Sequence, residues 1–343
     1  MAARTPKLED VDFRSGSMPE WVREVLNTQM AIESEDARAA GQLGFMARAL
    51  VQATMPYRDP KTRVFERTNG DFKLSILAGY EGGIPYGIYP RLLMSWLTTE
   101  AVITKSPEIN LGGSLNSFLR DVMDLRNVGG GIRGGNSRVS EQMKRLFSSL
   151  ITARYMGGLN HRGFALRNVL IAERVDISKQ DFDRFDAGQK LENEPANQTD
   201  ETDNKLWVPR KLDESGTWSS TLRLTDSFFR ECIAHPVPID LRAYKALRGS
   251  AMAMDVYTWL TYRMSYTTKA SRPIRWESLQ MQFGSASPGD EQGVRDFRKA
   301  FLKALKVVLV VYPEAKLKAD ITGVTLLPSR PHVLPLGKQQ GLF

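Results

Sequence analysis

Three amphipathic helical patterns follow one another between residues 88 and 158. The first has apolar residues every three or four positions, at Leu92, Leu93, Trp96, Leu97 and Val102. The second begins at Ser114, a residue type that caps helices, and its apolar positions are Leu115, Phe118, Leu119 and Met123. The third begins near Ser137, after a glycine-rich stretch, with apolar positions at Val139, Met143, Phe147 and Leu150. This order predicts a helix-turn-helix that leads into a winged hairpin.

The third of these helices has a polar face opposite its apolar one. The polar positions are Arg138, Glu141, Gln142, Lys144, Arg145 and Ser148. Helices of this kind lie on the surface of many globular proteins, and helices that enter a DNA groove are built in the same way. Two strands are predicted next, over residues 151–155 and 163–171, joined by a glycine-containing turn with His161 and Arg162. A basic hairpin in this place favours the DNA-binding interpretation, in which the hairpin is a wing.

The second half of the chain repeats this order of elements. Ser250 caps a predicted helix that runs to Met264, and a short strand and helix follow over residues 274–283. The helix predicted over residues 290–306 has an apolar stripe and a basic face. Its basic residues are Arg295, Arg298, Lys299, Lys303 and Lys306. A strand over residues 307–312 and a hairpin over residues 316–327 complete the pattern. Because a charged helix precedes a hairpin in both halves, DNA binding is favoured over a merely solvated helix face.

An arm of helical sequence precedes the first repeat. Helical spacing begins at Ser17, which is followed by a proline and a glutamate, and continues through Leu43 and Met46. Pro56 ends the pattern. The arm either packs on the body of the protein or mediates self-association, and the sequence does not choose between these alternatives.

Strands are predicted on both sides of the first repeat. Asn69-Gly70 separates two alternating runs, residues 63–68 and 71–77, and predicts a β-hairpin in which both turn residues have positive φ. A strand over residues 217–224 is predicted to close the first wing sheet. Thr225 then caps another predicted helix.

The charge of the chain favours a polyanionic partner. Its 343 residues carry a formal net charge of +8, and the sequence pI is about 9.5. Residues 181–203 hold eight acidic and two basic residues, a local net charge of −6 that leaves +14 for the remainder. Their few apolar residues predict a mobile insertion in the first wing. The structured part is therefore predicted to be more basic than the whole chain.

The residue patterns of several other function classes are missing. The glycine run at residues 129–135 is not followed by the Gly-Lys-Ser/Thr of a phosphate-binding loop. His161, His235 and His332 are isolated in sequence, and the single Cys232 can complete neither an internal disulfide nor a zinc finger. No apolar stretch approaches the roughly 20 residues of a membrane span. We therefore expect a cytoplasmic, non-catalytic protein without a cofactor or a metal.

Several segments resemble those of the RepA-type plasmid replication initiators. They are residues 92–101 (LLMSWLTTEA), 111–115 (LGGSL), 130–134 (GGIRG), 141–147 (EQMKRLF) and 253–260 (AMDVYTWL), with residues 276–283 and 297–305. The resemblance extends from about Ile84 to Pro331 and leaves out the acidic insertion. It implies a bacterial, plasmid-encoded protein with two winged-helix domains that bind repeated origin sequences (iterons). It further implies opening of neighbouring AT-rich DNA, recruitment of the host initiator and helicase, and formation of a homodimer, although the N-terminal arm itself shows no match.

The predicted fold class is α+β, with tandem winged-helix domains after an N-terminal helical arm. The predicted boundaries are residues 1–56 for the tail and arm, 57–225 for the first domain and 226–343 for the second. The predicted DNA-binding residues are Arg138, Gln142, Lys144, Arg145 and Arg162 in the first domain, and Arg295, Arg298, Lys299, Lys303 and Lys306 in the second. The predicted function is an initiator that binds double-stranded origin DNA. The alternative is a winged-helix transcriptional regulator that binds an operator without a role in replication, because both functions need the same helices.

Overall fold

A computed structural model of the chain describes residues 20–110, 135–156, 164–176, 221–234, 236–284 and 291–333. Helices and small antiparallel sheets alternate in these ranges, which confirms the predicted α+β class. The helices are α1 (Glu20–Ser34), α2 (Arg48–Gln52), α3 (Ile88–Thr104), α4 (Gly135–Phe147), α5 (Asp226–Ala234), α6 (Leu241–Ala246), α7 (Ala251–Met264), α8 (Trp276–Phe283) and α9 (Glu291–Val311). The strands are β1 (Leu43–Met46), β2 (Val64–Asn69), β3 (Phe72–Leu77), β4 (Glu108–Asn110), β5 (Leu150–Met156), β6 (Phe164–Leu170), β7 (Ala172–Asp176), β8 (Thr221–Leu224), β9 (Val237–Asp240), β10 (Ile274–Arg275), β11 (Leu317–Ala319) and β12 (Gly323–Leu326).

The first half is built around α3, which packs against α4 and α5. Strands β2, β3, β5 and β6 form one antiparallel sheet in that order, so the two predicted hairpins are confirmed and lie side by side. On β3, Phe72, Leu74 and Ile76 alternate with less buried residues. This alternation is what a sheet with one face on the core requires.

The second half has an aromatic core around Phe301 of α9. The rings of Trp259, Trp276 and Phe283 contact it, with centroid distances of 6.3, 6.0 and 5.4 Å. Strands β10, β12 and β11 form a small antiparallel sheet beside these helices. A Cβ atom at Gly323 would lie 2.0 Å from the carbonyl oxygen of Ile274, so β10 and β12 pair this closely because residue 323 is glycine.

Two predicted strands differ from the structure. Residues 307–312 were expected to leave the helix, but α9 continues to Val311. Val308, Leu309 and Tyr312 continue the helical spacing of Leu305 and are buried, so tertiary packing outweighs the strand preference of the valines. The strand expected to close the first wing sheet, β8, pairs instead with β4 and β7 in a separate sheet. Leu222 of β8 is buried there.

The β2–β3 turn also differs in detail from the prediction. Asn69 is paired with Phe72 at the end of the ladder, so the two turn residues are Gly70 and Asp71. Only Gly70 has a positive φ, +57°. A two-residue turn with positive φ at its first position alone needs glycine there, and Asn69 acts as a strand residue.

The arm before the first repeat packs on the second half of the chain. Residues 43–46 are a strand rather than the predicted helix, because β1 pairs along its whole length with β9. Downstream of β1, the Thr54 hydroxyl donates to the carbonyl of Gln282 (3.0 Å), and the Gln282 amide donates to the carbonyl of Val51 (3.1 Å). Of the two alternatives for the arm, packing on the body is the one observed.

Helix α1 joins the same packing through its C-terminus. It lies against α6 and α9. Arg242 donates from its guanidinium to the carbonyl oxygens of Ala31 (3.0 Å) and Glu35 (2.9 Å) and is ion-paired with Asp240 (2.7 Å). A cation on these carbonyls satisfies acceptors that a helix end leaves open.

A buried ion pair connects α3 with α7. Arg91 donates to both carboxylate oxygens of Asp255, at 2.8 and 2.7 Å. Its remaining donors reach the carbonyl oxygens of Met55, Pro56 and Gly87, so the whole guanidinium is satisfied although Arg91 is only 1% exposed. The pair links the two predicted domains, whose boundaries stay a prediction.

Candidate nucleic-acid interface

Four cationic side chains form a stripe along α9, which we call the basic stripe: Arg295, Lys299, Lys303 and Lys306. All four are exposed. Their spacing places them within an arc of about 80° and over roughly 17 Å of the helix axis. The opposite face of α9 is fixed in the aromatic core, so the stripe is held outward. The structure thus brings four of the predicted binding residues onto one surface, while their role stays a prediction.

Arg298 lies beside the basic stripe and is half-buried. Its guanidinium carbon is 5.3 Å from the ring centroid of Trp276, a cation–π distance. The indole N–H of the same Trp276 donates to the carbonyl oxygen of Asp320 (3.0 Å), in the turn between β11 and β12. These three residues, which we call the indole junction, connect the basic helix to the hairpin that follows it.

Further cations, none of them predicted to bind DNA, lie on the hairpin, on the loop before β10 and on β10 itself. They are Lys269, Arg272, Arg275, Lys316 and Lys318, all exposed. Ser271 fixes the loop to β12, since its N–H donates to the carbonyl of Leu326 (2.9 Å) and its hydroxyl accepts from the N–H of Leu326 (3.0 Å). These cations do not lie on a predicted helix, so helical spacing could not indicate them. The sequence signal that could have indicated them is the clustering of three cations within residues 269–275.

In the first half, two of the predicted binding residues on the polar face of α4 are internal, contrary to the prediction. Gln142 is 4% exposed, and its side-chain oxygen accepts from the N–H of Tyr86 (2.8 Å). Arg145 is 9% exposed and donates to Glu141 (2.9 Å) and to the carbonyl oxygen of Ile84 (3.2 Å). The segment between β3 and α3 covers this face, so neither Gln142 nor Arg145 is open to a groove.

The Arg145 guanidinium is also held from two other directions. It lies over the ring of Tyr86 (5.1 Å) and contacts the carboxylate of Asp59 (3.2 Å). Burial opposes the charge on Asp59, but hydrogen bonds from the Lys61 N–H and from Arg145 outweigh it and lower the pKa of Asp59. A charged carboxylate therefore neutralises Arg145 inside the protein. The helical spacing could not show this, because the covering segment is distant in sequence.

The remaining binding residues predicted in the first half either lie at the surface or fall outside the described ranges. Arg138 is exposed, and Lys144 is partly exposed. Arg162, the helix predicted from Ser114 and the acidic insertion at residues 181–203 lie outside the described residues. Of the first-half binding residues, Arg138 and Lys144 are therefore the ones that the structure places at the surface.

The described ranges contain neither a candidate metal site nor a candidate membrane span. In the described ranges, no group of three or more histidine, cysteine or carboxylate side chains could hold a metal ion. No helix in those ranges is both long and apolar enough to cross a bilayer.

Comparison with known proteins places the chain in a family. The model of the family described as "Plasmid encoded RepA protein" matches residues 84–194 and 184–278, which together make up more than half of the chain. The chain belongs to this family. The predicted resemblance is thus confirmed over α3 to the start of α8, and this RepA-family protein is a plasmid replication initiator, which implies that it binds origin DNA. The basic stripe and the β11–β12 hairpin follow the matched residues.

Two solved structures of domains 2 and 3 of RctB are similar to the RepA-family chain. One has a TM-score of 0.41 and 13% identity, and covers 75% of this chain and 82% of its own. The other, of selenomethionine derivatives, has a TM-score of 0.45 and 10% identity, and covers 83% of this chain and 98% of its own. No curated protein matches the chain.

Proposed function

We propose that this initiator binds repeated origin sequences through two winged helices, opens the adjacent AT-rich DNA and recruits the host initiator and helicase. The basic stripe on α9 is the observation that carries the proposal. Phosphate contacts supply most of the affinity of proteins for duplex DNA, and an exposed helix with four aligned cations is suited to make them. Action in the cytoplasm, without catalysis and without a cofactor, is part of the same proposal.

The order of elements in the second half supports a winged helix. Helix α7, strand β10, helices α8 and α9 and the β11–β12 hairpin follow one another, and β10 pairs with β12. In this arrangement α9 is the helix that enters the major groove, with its N-terminal part next to the bases. Arg298 lies in that part, and its stacking on Trp276 limits the freedom of its guanidinium before DNA arrives. We assign base contacts to Arg298 and phosphate contacts to the basic stripe.

The first half shares the order of helix, strand, helix and hairpin but has a different role in this proposal. Because the polar face of α4 is covered, α4 does not insert as a recognition helix. Arg138 and Lys144 instead contact the DNA backbone beside the site bound by α9. The first half then adds affinity and orientation, while the second half provides sequence discrimination.

The experiment compares binding to an origin repeat with binding to a scrambled duplex by fluorescence anisotropy over a range of salt concentrations. Replacing Arg298 by Ala should cost about 1–3 kcal/mol on the repeat and little on the scrambled duplex. Replacing Lys299 and Lys303 by Gln should weaken both complexes and lower the slope of log affinity against log salt by about 0.9 per lost phosphate contact. Arg230→Gln, an exposed cation on α5, is the control.

If all the α9 variants bind both duplexes as the wild type does, α9 is not part of the DNA interface. Permanganate footprinting of the AT-rich tract then separates initiation from the alternative function. Specific binding without unpaired thymines, in the presence of host initiator and helicase, would favour a transcriptional regulator that occupies an operator.

A further inference from the structure

The tip of the β11–β12 hairpin carries an apolar side chain in water. Ile321 is 81% exposed, more than any other large hydrophobic residue of the described chain. Single exposed apolar residues are common on proteins and usually need no explanation. Ile321 differs in two respects, the rigidity of its turn and the charge around it.

The turn holds Ile321 away from the core. One carboxylate oxygen of Asp320 accepts from the N–H groups of Thr322 (2.7 Å) and Gly323 (3.1 Å). The N–H of Asp320 donates to the carbonyl of Gly323 (3.0 Å), and Trp276 holds the carbonyl of Asp320. A backbone tied at four points loses little further conformational entropy when its tip is inserted into a partner.

The surroundings of the tip are basic. Arg275 is paired with Gly323 across the sheet, and Lys318 is exposed on β11. The Asp320 carboxylate, which lies next to Ile321 in sequence, accepts from the N–H groups of Thr322 and Gly323. An apolar tip flanked by cations matches a nucleic acid, whose base edges and stacked faces are apolar between two rows of phosphates.

The indole junction determines where the tip can reach. Trp276 contacts Arg298 on α9 and the turn at Asp320, so helix and tip move as one body. With α9 in a major groove, the flanking minor groove lies about half a helical turn away, roughly 17 Å along the duplex axis. A hairpin directly joined to α9 is suited to span that distance.

We propose that Ile321 inserts into the minor groove next to the site bound by α9 and partly unstacks a base step there, bending the duplex. The proposal rests on the proposed function and adds a specific contact and a mechanical effect to it. Apolar wedges that unstack a step kink DNA towards the major groove. Flexible pyrimidine–purine steps should therefore be preferred at the insertion point.

The test uses the full chain and a duplex that carries the origin repeat, labelled at both ends for energy transfer and with 2-aminopurine scanned across the flanking minor groove. Wild-type protein should bend the duplex and raise 2-aminopurine fluorescence at one step. Ile321→Ala should lose both signals and bind about tenfold more weakly, since most of the buried apolar area is removed. Ile321→Lys should bind at least as well at low salt and still fail to bend the duplex.

Ile103→Ala is the matched control, an isoleucine that is 55% exposed on α3. It should behave as wild type, and urea unfolding should show that all variants are folded. If wild-type protein does not prefer the repeat over a scrambled duplex, the proposed function fails. If it does prefer the repeat, but Ile321→Ala bends DNA and brightens 2-aminopurine like wild type, the wedge is overturned and the proposed function stands.

Discussion

Glu100 is an acidic side chain on the buried side of α3, and it is 4% exposed. Burial raises the pKa of its carboxyl group from 4.5 to about 7. Between these values the unfolded chain has released the proton while the folded protein still holds it. Stability is therefore greatest below pH 4.5 as far as Glu100 is concerned, and it is lost as the pH rises to about 7.

Replacing Glu100 by Gln should remove this loss. We expect the free energy of unfolding at pH 8 to rise by up to about 3 kcal/mol, and the two proteins to have nearly the same stability at pH 4. Urea unfolding at several pH values measures the difference. Glu277→Gln, at an exposed position on α8, is the control and should follow the wild-type profile. A difference between Glu100→Gln and wild type that does not change with pH would contradict the assignment.

At the scale of single residues, the capping signals at Ser250 and Thr225 predicted the hydrogen bonds that the structure contains. Ser250 caps α7 by accepting from the N–H of Ala253 (3.2 Å), and Thr225 accepts from the N–H of Phe228 (3.3 Å), both as predicted. A capping bond joins residues three positions apart, so a short stretch of sequence contains all of its partners. The burial of Glu100 was not predictable in this way, because its neighbours come from other elements.

Among the elements, the contrast between α4 and α9 suggests a direct comparison. Replacing Arg145 by Met should lower the free energy of unfolding by about 2 kcal/mol, since it leaves charged and backbone acceptors without their donor. The salt slope of DNA binding by the folded variant should not change. Urea unfolding and salt-dependent anisotropy measure the two quantities.

Arg138→Gln should show the opposite behaviour, with unaltered stability and a salt slope lower by about 0.9. This variant lies on the same helix, so it is the matched partner of the Arg145 change. A reduced salt slope in folded Arg145→Met would restore Arg145 to the DNA interface.

The difference between these helices shows what periodicity can and cannot predict. Both helices were predicted because apolar residues recur at helical spacing, and the structure contains both. The spacing also predicted an outward polar face, and this held for the basic stripe of α9 and for Arg138 of α4, whereas Gln142 and Arg145 of α4 are buried. Tyr86 and Asp59, which cover α4, are remote in sequence, and polar residues such as Gln142 look alike whether they face water or a hydrogen-bonding partner.

Helices α3 and α7 share a short sequence at corresponding positions. The tripeptide Trp-Leu-Thr occurs at residues 96–98 in α3 and again at 259–261 in α7. Leu97, Thr98, Leu260 and Thr261 are all buried. The same positions of the two helices thus face the core in each half.

For the whole molecule, the ion pair of Arg91 and Asp255 should govern how the two halves unfold. Replacing Arg91 by Met should cost about 3–5 kcal/mol, because the Asp255 carboxylate would remain buried without its partner. The double change Arg91→Met with Asp255→Leu should recover part of this loss. The free energy of unfolding should not recover fully, because the carbonyl oxygens of Met55, Pro56 and Gly87 lose the donors that Arg91 provides.

A double-mutant cycle by urea unfolding gives the coupling energy, with one transition expected for fluorescence and circular dichroism. Arg223→Met is the control, since the pairs of Arg223 with Glu108 and Glu173 are solvent-exposed and should contribute little to stability. Separate transitions for the two halves, with Arg91→Met affecting only one of them, would contradict the linkage.

The packing of residues 43–54 on the second half has a consequence for synthesis on the ribosome. The Thr54 hydroxyl is hydrogen-bonded to the carbonyl of Gln282, 228 positions later, and β1 can pair with β9 only after residues 237–240 have been synthesised. At about 5–20 residues per second, the apolar stretch around Phe45, Met46 and Val51 can contact α3 early but lacks its second-half partners for on the order of ten to forty seconds. Nascent chains should therefore be bound by chaperones at this stretch until residue 282 has left the exit tunnel.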